Sequence, residues 1–127
     1  STPMKSLFIV TAAFEAATGL ALLGLPTAVA SLLLGGALDT PAAVVVARMT
    51  GAALLALGVA CWRARNDGES RGAVGLAAAM TLYNVAAVAV LAYAALGTGL
   101  SGVALWPAIF LHAALAAWCV ACLRARS

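Results

Sequence analysis

The stretch PAAVVVARMTGAALLALGVACW, residues 41–62, decides the fold. As a helix it would be about 33 Å long, enough to cross the hydrocarbon core of a bilayer, and Arg48 is its only charged residue. A guanidinium keeps its proton at any ordinary pH, so at that depth it must find an anion, carbonyl groups or water. Three further apolar runs, residues 3–25, 71–96 and 103–124, each hold one costly polar group near the middle: Glu15, Asn84 and His112. The pattern predicts an all-α protein, a transmembrane four-helix bundle forming one domain over residues 1–127.

Composition points the same way. Of 127 residues, 65% are hydrophobic and 9% charged, with a mean hydropathy of +1.10. A soluble domain carries roughly 25% charged residues, so this stretch would have nowhere to hide its apolar surface in water. Four crossings of about 20 residues each use nearly all of it and leave no room within it for a soluble catalytic domain.

The net charge of +3 does not mark a nucleic-acid surface, because the basic residues sit at the ends of the apolar runs. Lys5 precedes the first, Arg63, Arg65 and Arg71 lie between the second and third, and Arg124 and Arg126 close the fourth, whereas residues 26–40 and 97–106 contain no Lys or Arg. Under the positive-inside rule both termini and the middle connection are cytoplasmic. The start has the basic flank of a signal peptide, but Glu15 interrupts the run and no convincing cleavage site follows, so a retained first span is expected. Cys61, Cys119 and Cys122 fall toward the cytoplasmic ends of their spans, where thiols stay reduced. Cys119 and Cys122 have the spacing of a redox pair, yet they close a helix instead of opening one, and its dipole disfavours a thiolate there; small packed hydrophobes are the expectation.

Along the chain, Thr11, Glu15 and Thr18 share one face of the first span, beside the small residues Ala12, Ala16 and Gly19, which allow close helix approach in lipid. Residues 27–38 are apolar but too short to cross and are broken by Gly35 and Gly36, which fits a short interfacial helix between spans one and two or a shallow re-entrant piece. Asp39 and Thr40 are candidate caps ahead of Pro41. Arg48, Gly51 and Leu55 share a face of the second span, with Gly58 further along. The polar turn 66–70 is short enough to make the second and third spans antiparallel neighbours.

Glu15, Asn84 and His112 lie near mid-span, and Arg48 is about one turn nearer the outer side. Each ion costs about 2.5–3.5 kcal/mol at such a depth, a cost that pairing offsets in part. The expected centre is therefore a buried Glu15–Arg48 ion pair buttressed by Asn84 and His112. Such a layer either fixes helix register or binds an anionic or quinone-like head group. For His112 a neutral imidazole bonded to a neighbour is expected; with no second histidine, bis-histidine haem ligation within one chain is excluded and a zinc site would need unusual ligands. No metal, cofactor, phosphate-binding glycine loop or nucleophile elbow is expected.

Glu15 with Gly19 and Pro26, Arg48-Met49-Thr50-Gly51, Tyr83-Asn84, and Trp106-Pro107 followed by His112 resemble the DoxX-like group of small bacterial four-helix membrane proteins. The resemblance spans nearly the whole chain and implies a bacterial inner-membrane location. Some relatives look like subunits of quinone-linked oxidoreductases, but this chain shows no additional redox motif. The first functional expectation is an accessory or interaction protein, docking through small-residue stripes onto other membrane subunits or onto itself. The alternative is a protein that binds or converts a quinone, lipid or small acid at Glu15, Arg48, Asn84 and His112, with Glu15 and His112 able to transfer protons.

Overall fold

The computed structural model describes residues 2–126 and is built of five helices: α1 (Thr2–Gly24), α2 (Pro26–Leu34), α3 (Pro41–Ala64), α4 (Arg71–Leu96) and α5 (Leu105–Arg124). Four of them, α1, α3, α4 and α5, are long and apolar enough to cross a membrane. The short α2 stands between the first two, where residues 27–38 are too short to cross.

Local chemistry sets the helix ends. The Thr40 hydroxyl accepts from the Ala43 amide at 3.1 Å, with Pro41 in the first turn, and the Ser70 hydroxyl accepts from the Ala73 amide at 3.0 Å. Pro26 starts α2, and Gly35, at φ 75°, ends it in the left-handed conformation that favours glycine.

Two helix pairs carry the bundle: α1 packs along α3, and α4 along α5. The α1–α3 seam is a backbone contact. A Cβ on Gly19 would stand 2.6 Å from the Gly51 carbonyl oxygen, one on Gly51 would stand 2.7 Å from the Gly19 carbonyl oxygen, and one on Gly58 would stand 2.9 Å from the Ala16 nitrogen. These small residues let the two backbones meet where lipid supplies no hydrophobic drive to hold helices together. The pairs join through lighter contacts of α1 with α5 and of α3 with α4. The short turn thus brings α3 and α4 side by side but does not pack them, because the glycine edge of α3 is turned to α1.

The packed core lies at one end of the bundle. Met4, Leu7, Phe8 and Ala12 of α1 meet Cys61 of α3, Ala73, Ala77 and Met80 of α4, and Cys119 and Cys122 of α5. All three cysteines are free and buried. The basic residues other than Arg48 lie at this same end, at the start of α1 and α4 and the close of α3 and α5. There Arg65 stacks on the Trp62 ring at 3.9 Å, while Arg126 donates to Gly68 O at 3.0 Å and to Glu69 Oε2 at 2.8 Å, tying the chain's last turn to the α3–α4 connection. At the opposite end α2 folds over the bundle. The Ala104 amide donates to Leu32 O at 2.8 Å, and Gly102 presses against the backbone of Leu32 and Leu33 so closely that no side chain would fit.

Gly51→Leu should separate α1 from α3 and destabilise the protein by about 1–3 kcal/mol, read as a lower thermal midpoint in detergent, whereas Gly75→Leu, where a side chain meets open space, should not. Arg126 beside Glu69 holds its carboxyl below the ordinary value of 4.5. A depressed folded value means the tie contributes above pH 4.5 and is lost as pH falls through the folded midpoint. An NMR titration should place the Glu69 midpoint below 4.5 and find it raised in Arg126→Gln.

Candidate functional site

Each long helix turns one face to the bundle axis. Along α1 the positions are Met4, Phe8, Thr11 and Glu15, then Thr18 and Leu22; along α4 they are Ala73, Ala77, Met80 and Asn84, then Ala87 and Leu91. Up to Glu15 and Asn84 this face is buried in packed core. Beyond them it lines a cleft of about 350 Å³, to which α3 contributes Thr50 and Leu54, α5 contributes His112, and α2 contributes Leu33. Small-ligand pockets span roughly 300–1,000 Å³, so this one lies at the small end of that range. Thr50 and Val90 are exposed members of its wall, so the cleft opens sideways between α3 and α4. A second groove, between Ile9, Ala13, Ala16, Val59 and Trp62 on the outer flank of the α1–α3 seam, has an almost wholly apolar lining.

The polar floor of the cleft is a three-residue arrangement. Asn84 is fully buried; its Nδ2 donates to Met80 O at 2.8 Å, and its Oδ1 lies 2.8 Å from His112 Nδ1. Tyr83 meets the His112 ring edge-on, with centroids 5.6 Å apart and planes at 79°. Asn84 and His112 are thus brought together as the depth argument required, and the imidazole has a neighbour to bond.

Glu15 faces the same interior. It is 3% exposed and lies within electrostatic range of Tyr83 and Cys61. It forms no hydrogen bond or ion pair with a described residue. One turn before it, Thr11 Oγ1 is buried without a hydrogen-bond partner.

Arg48 is elsewhere. It is exposed and forms no ion pair with a described residue, so the expected Glu15–Arg48 pair is not made. Helical phase explains the difference. The buried edge of α3 is Gly51, Leu54, Gly58 and Cys61, and extending it one turn back reaches Ala47. Arg48 is rotated roughly 100° from the centre of that edge, on the side away from α4. Its Cα lies only about 10 Å from the start of α3, within reach of the interface for a side chain that long. Grouping Arg48 with Gly51 and Leu55 placed the buried edge on the wrong side of Gly51.

Sequence reasoning also passed over Thr50 and Tyr83 as cleft residues. The signal was present on α4, where Tyr83, Ala86, Ala87, Val90 and Leu91 recur at helical spacing beside Asn84. On α3, Thr50 stands four residues before Leu54. Among the described residues no three His, Cys, Asp or Glu side chains converge to hold a metal ion. Chemically the site offers hydrogen-bonding side chains on an apolar wall, with a carboxyl group on the same face of α1 as Thr18 and Leu22.

No protein-family model, curated protein or solved structure matches the chain, and the DoxX-like resemblance is neither supported nor opposed by these comparisons.

Because Glu15 has no ion-pair partner to lose among the described residues, Glu15→Gln should change stability by less than about 1 kcal/mol, read as an almost unmoved thermal midpoint. Asn84→Leu, which strips a hydrogen bond from Met80 O and another from His112, should lower stability by about 1–3 kcal/mol.

Proposed function

We propose that this chain is a small bacterial inner-membrane protein, with both termini cytoplasmic, that holds an apolar small molecule bearing one polar group in the cleft between α3 and α4. One observation carries this: the interior faces of the helices are filled up to the level of Glu15, Asn84 and His112, and above that level they enclose a shaped space with polar groups at its floor. Apolar walls with a few convergent polar side chains are the usual composition of a small-molecule site. The cleft favours ligand binding over the accessory role that the small-residue stripes first recommend, since the tightest stripe is used within the chain, between α1 and α3. The bacterial membrane rests on the DoxX-like resemblance, and the orientation on the basic residues at the packed end.

A docking role has its own support in Arg48. A charge presented on the outer flank of the α1–α3 seam fits a partner subunit that brings an acidic or carbonyl-rich surface to it.

Native mass spectrometry of the protein extracted in mild detergent separates the two. The ligand-binding protein carries a bound small molecule that is lost in Ala87→Phe, where the new ring fills the cleft, and retained in Arg48→Ala. An accessory subunit instead carries a stoichiometric protein partner that Arg48→Ala releases.

A further inference from the structure

Resting on the cleft as a ligand site, we infer that its ligand is a hydrogen-bond donor: an alcohol or phenol on an apolar body, rather than a carboxylate or a compound bearing only carbonyl oxygens. The inference follows from the proton on one imidazole nitrogen. Asn84 is fully buried, and its Nδ2 is committed to Met80 O at 2.8 Å. A backbone carbonyl only accepts, so the amide nitrogen must be the atom facing it and the amide oxygen is the atom that faces His112. That oxygen also only accepts. The 2.8 Å contact with His112 Nδ1 therefore requires the proton on Nδ1. An uncharged imidazole has one ring proton, so Nε2 is a bare lone pair. The edge-on contact with Tyr83 braces the ring in this orientation.

His112 lines the cleft, and Nε2 is the nitrogen it has left to offer. The neighbouring hydroxyls fit the same partner. Thr50 spends its proton on Val46 O at 2.9 Å and keeps a lone pair, while the Tyr83 hydroxyl forms no hydrogen bond to a described residue and can donate. A ligand hydroxyl can give its proton to Nε2 and accept from a hydroxyl of the wall. A carboxylate or a bare carbonyl oxygen could accept from Tyr83 but would leave the Nε2 lone pair without a donor, and a carboxylate would also find no cation in the lining, with Arg48 on the other side of α3. The apolar body would lie against Leu22, Leu54, Val90 and Leu91.

The chain holds a single histidine, which gives an unambiguous readout. In protein labelled with ¹⁵N-histidine and placed in lipid nanodiscs, Nδ1 should carry the proton and Nε2 should resonate as the unprotonated nitrogen. Titration with 4-hexylphenol should move the Nε2 signal, and 4-hexylphenol should bind about ten-fold more tightly than its methyl ether, 4-hexylanisole, after subtraction of partition into empty nanodiscs. His112→Phe should bring the two probes level. A proton on Nε2, or equal affinity for phenol and ether in the unmodified protein, would overturn the inference and leave the cleft as a binding site. Failure of both probes to bind above empty nanodiscs would overturn the cleft reading and this inference with it.

Discussion

The backbone contact between Gly19 and Gly51 is the constraint on which the rest of the bundle depends. Two helices can come that close only where neither has a side chain, so the contact fixes both their separation and the rotation of α3 about its own axis. Once Gly51 and Gly58 face α1, Thr50 and Leu54 face inward toward α4 and Arg48 faces out. Drawn against α1 along its length, α3 meets α4 only lightly. The open cleft and the displaced arginine are two results of one crossing.

Within this frame, each inward face does two different jobs along its length. At the basic end it is filled by large side chains, Met4, Phe8 and Met80 among them, which close the bundle. Just past Asn84 α4 offers only Ala86 and Ala87, with Val90 and Leu91 a turn further on, and α3 offers a threonine, so the volume is not filled. In water such an opening would expose apolar surface at a cost. Between lipid-facing helices that cost is small, because hydrocarbon chains solvate the wall about as well as protein does. The polar floor then sits at the boundary between the two regimes, where Asn84 satisfies Met80 O and orients His112 in one stroke.

The four long apolar helices, the short helix between the first two, and the buried meeting of Asn84 with His112 were legible in the sequence, because helix length and the cost of burying a polar group follow from residue identity alone. The partner of each face was not. In lipid the outside of a helix is as apolar as its inside, so hydrophobic periodicity does not tell α1 whether it faces α3 or bilayer. Arg48 shows the limit most clearly. A charge argues for the interior only when it cannot reach the interface, and an arginine two turns into a span, on a long flexible stem, can. The cleft depends on how tightly α1 and α3 approach, which several glycines permit but which no single residue specifies.

On the proposed ligand-binding reading, a solute that uses the lateral opening between α3 and α4 arrives from the bilayer instead of from water. An apolar solute is already concentrated there by about 0.8 kcal/mol for each methylene group it carries. Selection by the protein is therefore left almost entirely to the few atoms at the floor, since oiliness is rewarded equally inside the cleft and outside it. A site supplied in this way can discriminate by a single proton while gripping its occupant only weakly.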